Sequence, residues 1–252
     1  MNARIVVATK LGVREQARRP LLLVLLVVLP FFFITRAIAR SEPTPRRIGL
    51  PGGEQILTTM RDVHGASMVT ITVAFLAALC GAFVMRSARS ADRRLVVAGY
   101  GPTEALVPRL LILVAATLVV LAVSLAVTAL SFTPASWPAF TLGNLLVGLT
   151  YACLGALAGA ALGQLGATYL VLFLAMLGTG ILQNPMFGDG TPGVLALVFP
   201  DYAAGRVVID GAFSAGSHAW GALALALAWL AALTVAVIVV LRRSLRTLRT
   251  LR

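Results

Sequence analysis

Hydrophobic residues occur in long blocks along this chain, and short polar or charged segments separate the blocks. A helix that crosses a membrane needs about 20 apolar residues, because each residue advances about 1.5 Å through about 30 Å of hydrocarbon. Six blocks are near that length, and each ends at charged residues, Pro or Gly. The pattern predicts spans at about 20–39, 66–85, 106–130, 140–162, 167–183 and 219–241.

This layout predicts an all-α polytopic membrane protein in which residues 1–252 form a single transmembrane domain. The composition agrees with it, since 59% of the residues are apolar and only 12% are charged. An ordinary soluble domain has about 25% charged residues. Pro30 lies inside the first block and predicts a kink there.

The first block also has features of a cleavable signal peptide, because basic residues precede it and the small-residue triplet Ala37-Ile38-Ala39 ends it. Five further blocks follow, and an uncleaved first helix sets the orientation of a polytopic protein equally well. We therefore expect the first block to remain as a transmembrane helix.

Basic residues are unevenly distributed between the predicted loops. Five Lys or Arg residues occur in each of three places: before the first block, from Arg86 after the second block to Arg109 at the start of the third, and in the tail. Charges in the other loops cancel, so these three segments carry the formal net charge of +12. Because Lys and Arg are retained on the cytoplasmic side, both termini are predicted to be cytoplasmic, in a bacterial inner (cytoplasmic) membrane.

The same partition accounts for the basic isoelectric point without a nucleic-acid partner. Anionic headgroups of the lipid bilayer are the expected counter-charge.

Residue patterns typical of catalysis or metal binding are missing from the sequence. His64 and His218 have no partner at metal-ligand spacing, and Cys80 and Cys153 lie inside apolar blocks, as buried structural thiols do. The only lysine, Lys10, is not part of a phosphate-binding GxxxxGK[ST] motif. We therefore expect no enzyme activity, metal or cofactor in this chain, and any use of ATP requires a separate subunit.

Charged residues are also missing from the interiors of the six blocks, which argues against a proton-coupled antiporter and an intramembrane hydrolase. Uncharged polar residues in or beside the blocks are compatible with either a polar path or interhelical hydrogen bonds. They are Asn144, Thr150, Tyr151, Gln164, Gln183 and Asn184.

The fourth block contains Gly155, Gly159 and Gly163 in tandem GxxxG spacing. Small residues four apart form a flat ridge on a helix and allow a second helix to approach closely. The spacing predicts a helix-packing face, whose partner lies either in the same chain or in a second one.

Two of the predicted loops contain short apolar runs. In the cytoplasmic loop 86–105, residues 95–98 precede Gly99 and Gly101, which predicts a brief surface helix. In the exterior segment 185–218, the run 194–199 is too short to cross a membrane and predicts a re-entrant or interfacial hairpin.

The order of these features resembles the permease subunits of type-2 ABC exporters. Three stretches carry the resemblance: RRPLLLVLLVVLP at the first block, RRLVVAGYGPTEALVPR after the second, and LVFPDYAAGR before the sixth. The likeness covers nearly the whole chain. It implies a membrane-spanning subunit that pairs with a second permease, as a homo- or heterodimer, and works with a separate ABC ATPase subunit.

The resemblance also implies roles for particular segments. Met1–Arg19 would be a connecting helix on the membrane surface, Ala91–Glu104 a coupling helix that docks on the ATPase, and 185–218 an exterior gate. The residues expected to couple to the ATPase are Arg93, Arg94, Leu95, Tyr100 and Glu104.

Uncharged spans suit an amphiphilic substrate, so efflux of drug-like or antibiotic molecules, and hence antibiotic resistance, is the expected function. Two other classes stay open. A non-transport subunit that anchors or assembles a partner would need no charged pathway. An ion-coupled secondary transporter would coordinate sodium through backbone carbonyls at broken helices.

Overall fold

The computed structural model describes residues 3–18, 20–51, 53–97, 102–185, 187, 193–214 and 219–250. This part of the chain is predominantly helical. The elements are α1 (Ala3–Ala17), α2 (Pro20–Ala39), β1 (Pro45–Gly49), β2 (Gln55–Thr59), α3 (Met60–Val97), α4 (Pro102–Thr128), α5 (Trp137–Ala161), α6 (Gln164–Ala175), a π-helical segment (Met176–Leu182), α7 (Val194–Leu197), α8 (Tyr202–Phe213) and α9 (Trp220–Thr250).

Five stretches of helix within the described residues are long and apolar enough to cross a membrane, so the chain is a multi-pass helical membrane protein. They are Met60–Arg86, Leu106–Thr128, Trp137–Ala161, Leu165–Leu182 and Trp220–Arg243. The second to sixth predicted spans each fall on one of them. The first predicted span is helical as α2, but the apolar stretch described within it, Val24–Ala39, is shorter than a full span.

Helices α3 and α5 run parallel and form the centre of the bundle. Both are rich in small residues where they meet, so their backbones come into direct contact. A Cβ atom added at Gly155 would collide with the backbone of Ala78, and one added at Gly159 would lie 2.6 Å from the carbonyl oxygen of Ala82. Val73 and Val147 are fully buried in the same core.

Helix α8 lies antiparallel beside α5. Its last turn accepts hydrogen bonds from the segment before α5, where the amides of Ala135 and Ser136 donate to the carbonyls of Ala212 and Gly211. Its first residues lie beside Tyr151. Along α5, Tyr151 is about 22 Å from Ser136, at 1.5 Å per residue. The start of α8 therefore lies deep beside a spanning helix.

The prediction of an all-α fold omits a two-stranded antiparallel sheet. Strands β1 and β2 pair with Ile48 opposite Ile56, and Ile48 is fully buried. The turn between them contains Gly53, whose φ of +85° is one that side-chain-bearing residues rarely adopt. The hairpin leads directly into α3, where the amide of Asp62 donates to the Thr59 hydroxyl, as at an N-cap, and the hydroxyl donates to Oδ2 of Asp62.

The predicted loop 86–105 is also different in the structure. Helix α3 continues through charged residues to Val97, so most of this segment is helix and the expected brief surface helix is the end of α3. Residues 86–97 contain neither Gly nor Pro, and charge alone does not end a helix once the chain has left the hydrocarbon. Gly99 and Gly101 lie outside the described residues.

Candidate functional site

The predicted packing face is split between two places. Gly155 and Gly159 lie in the contact with α3 described above, so their partner helix belongs to the same chain. Gly163 lies beyond the end of α5, immediately before α6, and a Cβ atom added there would have no atom beyond its chain neighbours within 4 Å in the described structure. The first two glycines therefore hold the core of the bundle together, and the third does not.

The predicted coupling residues are described only in part. Arg93, Arg94 and Leu95 belong to the last turns of α3, but their side chains lie outside the described structure, as does the whole of Tyr100. Glu104 lies in the first turn of α4, where a negative charge is favourable to the helix dipole.

All three basic segments lie at the same end of the bundle. Met85 of α3, Leu106 of α4 and Leu241 of α9 share one apolar cluster, so the charged ends of these helices are neighbours. Helix α1 joins them, because Gly12 packs against Ile112 of α4. The hairpin, in contrast, is next to the opposite end of α3.

Buried polar side chains gather between α3, α5, the π-helical segment and α8, and we call this group the polar cluster. Its members are Ser67, Thr70, Asn144, Tyr151, Thr179, Gln183, Asn184 and Asp201. Several of them line a cavity of about 20 Å³, which is room for about one water molecule.

Asp201 is the carboxylate of the polar cluster, and its side chain is fully buried just before α8. The hydroxyl of Tyr151 lies 3.1 Å from its Oδ2 atom and 3.0 Å from the carbonyl oxygen of Leu174. One hydroxyl proton serves one acceptor well, so two acceptors compete for it while Asp201 is ionised. A protonated Asp201 removes the conflict, since it donates to Tyr151 while Tyr151 donates to Leu174.

Burial raises the pKa of Asp201 to about 6, against the opposing effects of the nearby Gln183 amide and of the hydrogen bond from Tyr151. Asp201 belongs to the segment between the fifth and sixth predicted spans, outside the spanning helices. Its carboxyl group therefore changes protonation state near pH 6, and pKa values shifted in this way are typical of functional sites.

The π-helical segment gives the Tyr151 hydroxyl room to reach Asp201. A Cβ atom at Gly178 would lie 2.5 Å from the Tyr151 hydroxyl oxygen and 3.1 Å from Oδ2 of Asp201. Glycine is therefore required where the segment passes over this pair. π-Helical turns are rare and occur often at functional sites.

A second hydrogen bond of the polar cluster joins the two central helices. Thr70 donates to Oδ1 of Asn144 at 3.0 Å, and Nδ2 of Asn144 donates to the Phe140 carbonyl at 2.9 Å. Asn144 is fully buried and both ends of its amide are bonded, as a polar group in a spanning helix requires.

Arg206 fastens α8 to the hairpin. Its Nη1 atom donates to the Gly49 carbonyl at 3.2 Å, and burial lowers its pKa while Asp210, one turn along α8, opposes that shift. Movement of α8 is thereby linked to movement of the hairpin.

The structure brings together four of the six polar residues expected from the sequence: Asn144, Tyr151, Gln183 and Asn184. Thr150 is buried elsewhere on α5, and the side chain of Gln164 lies outside the described structure. Sequence reasoning missed Asp201 because it stands in a segment too short to span and was counted with the exterior loop charges. The signal that identifies it is a carboxylate directly after an apolar run and Pro200.

Residues considered for metal binding or thiol chemistry are dispersed. Cys80 and Cys153 are free and buried, and Nδ1 of His64 lies 3.0 Å from the Met60 carbonyl oxygen. His218 lies outside the described residues. Among the residues that the structure describes, no three His, Cys, Asp or Glu side chains are placed to hold a metal ion.

The candidate site is thus a buried polar cluster with a titratable carboxyl group, enclosed by two spanning helices, a π-helical segment and α8. Such a site can hold a proton on the carboxyl group of Asp201. No family model matches the sequence, and none of the curated proteins matches it.

Proposed function

We propose that this chain is the permease subunit of an ATP-driven exporter of the type-2 ABC class, located in the inner membrane of a bacterium. The observation that best supports the proposal is the placement of α8, which enters beside α5 to the level of Tyr151 and returns toward the hairpin. An interrupted exterior segment of this kind, before the last span, is what the resemblance implies for the gate.

In the proposed topology α2 is the first of six spans, and both termini are cytoplasmic. The common location of the three basic segments supports this arrangement, because Lys and Arg are retained in the cytoplasm. The hairpin and the entrance to α8 then face the exterior.

Helix α3 provides a mechanical connection between the proposed ATPase contact and the polar cluster. It has 38 residues and is therefore about 57 Å long, well beyond the hydrocarbon thickness of about 30 Å. Arg93 and Arg94 lie near one end, and Ser67 and Thr70 line the cavity near the other. A displacement of the basic end would be transmitted to the polar cluster through one continuous helix. The contacts of Gly155 and Gly159 hold this helix against α5.

The proposed substrate is an amphiphilic, drug-like or antibiotic molecule that partitions into the membrane. The described spanning helices bury mostly apolar side chains, which suits such a molecule better than a polysaccharide. A second permease, identical or homologous, would complete the path, and a separate ABC ATPase would supply the energy.

The proposal is tested by purifying the chain from membranes in mild detergent with its natural partners. We expect a P-loop ATPase to co-purify and its turnover to rise with candidate drugs. Isolation without any ATPase, also after crosslinking, would contradict the exporter function and favour an anchoring or assembly subunit.

The coupling role of the basic end is tested by the double substitution R93E/R94E. We expect export to be lost while membrane insertion is unchanged, because two repulsive charges would face the ATPase. The matched control is R47E/R61E, which makes the same charge change at the hairpin end. Normal export by R93E/R94E would overturn the docking role.

Ion-coupled secondary transport is a second candidate, and Asp201 beside the π-helical segment favours it. Uptake or efflux in vesicles without ATP, driven by an imposed proton or sodium gradient, would distinguish it from the exporter.

A further inference from the structure

We propose that the crevice between the end of α2 and the start of α3 binds the headgroup of an anionic phospholipid from the bilayer leaflet on the hairpin side. We call it the α2–α3 crevice. The side chains that define it are Arg36, Arg40, Glu42, His64, Phe33 and Met68. This inference does not rest on the exporter function.

The crevice lies at the depth in the membrane where a lipid headgroup is expected. Its volume is about 540 Å³, within the range of about 300–1,000 Å³ typical of ligand sites. The apolar stretch of α2 ends at Ala39, and the first spanning stretch of α3 begins at Met60. The crevice thus lies where two apolar helices reach the membrane surface.

Two arginines on one side give the crevice its positive charge. Arg36 and Arg40 are one helical turn apart, both are exposed, and neither forms an ion pair with any described residue. Among the described residues, Glu42 is the only acidic side chain that lines the crevice. The planar guanidinium groups of arginine match the paired oxygens of a phosphate better than an ammonium group does.

The arginines are not needed to cap α2. The carbonyl groups at its end already have donors, because the amide of Arg40 bonds to Arg36, the hydroxyl of Ser41 to Ala37, and the amide of Ser41 to Ile38. The guanidinium of Arg36 lies 5.9 Å from the ring centre of Phe32, which orients it without neutralising it. Both positive charges therefore remain available to a ligand.

Part of the crevice lining is apolar, which favours a lipid over a free phosphate. Phe33 is 47% exposed, and Met68 packs partly buried against the main core. A phosphate between the two arginines would place the glycerol and the start of the acyl chains over these side chains. The imidazole of His64 lies on the α3 side of the crevice and provides a further polar contact.

The test uses the full-length protein, stripped of lipid in detergent, and native mass spectrometry with phosphatidylglycerol or phosphatidylcholine of identical acyl chains. We expect one phosphatidylglycerol to bind with preference. The R36Q/R40Q variant should bind it about twenty-five-fold more weakly, because each arginine near an anionic headgroup contributes about fivefold. The control R47Q/R61Q removes two exposed arginines at the same end, outside the crevice, and should bind as the wild type does.

Three results would overturn the proposal. Equal binding of the two lipids would show that charge does not select the ligand. Equal loss in R36Q/R40Q and R47Q/R61Q would indicate general attraction to a basic surface. Full displacement by water-soluble glycerol phosphate would indicate a site for soluble anions. Circular dichroism and gel filtration establish that both variants are folded, which is expected because all four side chains are exposed.

Discussion

Asp201 is the residue whose chemistry sets the properties of the polar cluster. Its carboxyl group is buried, and the loss of solvation favours the protonated form more than the hydrogen bond from Tyr151 favours the ionised form. A pKa near 6 in the folded protein against an ordinary value of about 3.8 means that the folded state holds the proton more strongly. Stability from this group is therefore complete below pH 4 and is lost as the pH rises toward 6 and beyond.

The first prediction concerns the variant D201N, which keeps the shape of the side chain and cannot ionise. The wild type should lose on the order of 3 kcal/mol of stability between pH 4 and pH 7 through this group, since one pKa unit corresponds to about 1.4 kcal/mol. Melting temperatures of the purified protein should therefore fall with rising pH in the wild type and fall less in D201N. The same pH dependence in both would show that Asp201 does not titrate in this range.

The variant Y151F distinguishes the effect of the Tyr151 hydrogen bond on the pKa of Asp201 from the effect of burial. Loss of the hydroxyl removes a donor that stabilises ionised Asp201, so the pKa of Asp201 should rise further. In the same melting experiment the pH at which stability declines should move upward. An unchanged midpoint would mean that Tyr151 bonds to Leu174 alone.

For single residues, the sequence shows which side chains in an apolar block are polar, but it does not show which side chains they contact. Asn144 and Tyr151 can be identified from their position in an apolar block. Their association with Asp201 depends on how α8 lies beside α5, and no local pattern encodes that. A carboxylate in a short apolar segment is interpreted as a solvated loop charge until the fold shows what surrounds it.

Secondary-structure elements are predicted well where hydrophobic length decides them. The second to sixth spans follow from the membrane thickness and need no knowledge of packing. The β1–β2 hairpin and the charged end of α3 were missed because other interactions form them. Strands β1 and β2 have five residues each and mixed polarity, and they exist through pairing with each other. The charged end of α3 continues because helix propensity, not hydropathy, determines it.

The contact between α3 and α5 gives a prediction at the scale of elements. The substitution G155A should destabilise the bundle by about 1–3 kcal/mol or more, because the added methyl group collides with the Ala78 backbone. A backbone atom cannot relieve the clash by a change of rotamer, as a side chain can. The matched control is G163A, whose methyl group enters open space. Melting temperatures in detergent measure both, and equal stability of the two variants would contradict the packing seen here.

The two ends of the described helical bundle differ in chemistry. Basic helix ends lie at one end, and the hairpin, the α2–α3 crevice and the entrance to the polar cluster lie toward the other. Arg206 ties the hairpin to α8, and α3 extends from the hairpin to the basic end. Energy applied at the basic end can therefore reach the opposite side through one helix, which is the property that an ATP-driven permease requires.

Whether α2 crosses the membrane decides between six spans and five, and it can be tested by thiol labelling. Single cysteines are placed at Lys10 on α1 and at Leu57 on the hairpin, both exposed, while Cys80 and Cys153 are buried and serve as unlabelled background. In right-side-out vesicles a membrane-impermeant reagent should label L57C at once and K10C only after permeabilisation. That result requires an odd number of crossings between the two positions, and α2 is the only helix between them in the described chain. Immediate labelling of both would leave five spans, place the N-terminus outside, and remove the proposed arrangement of both termini beside a cytoplasmic ATPase.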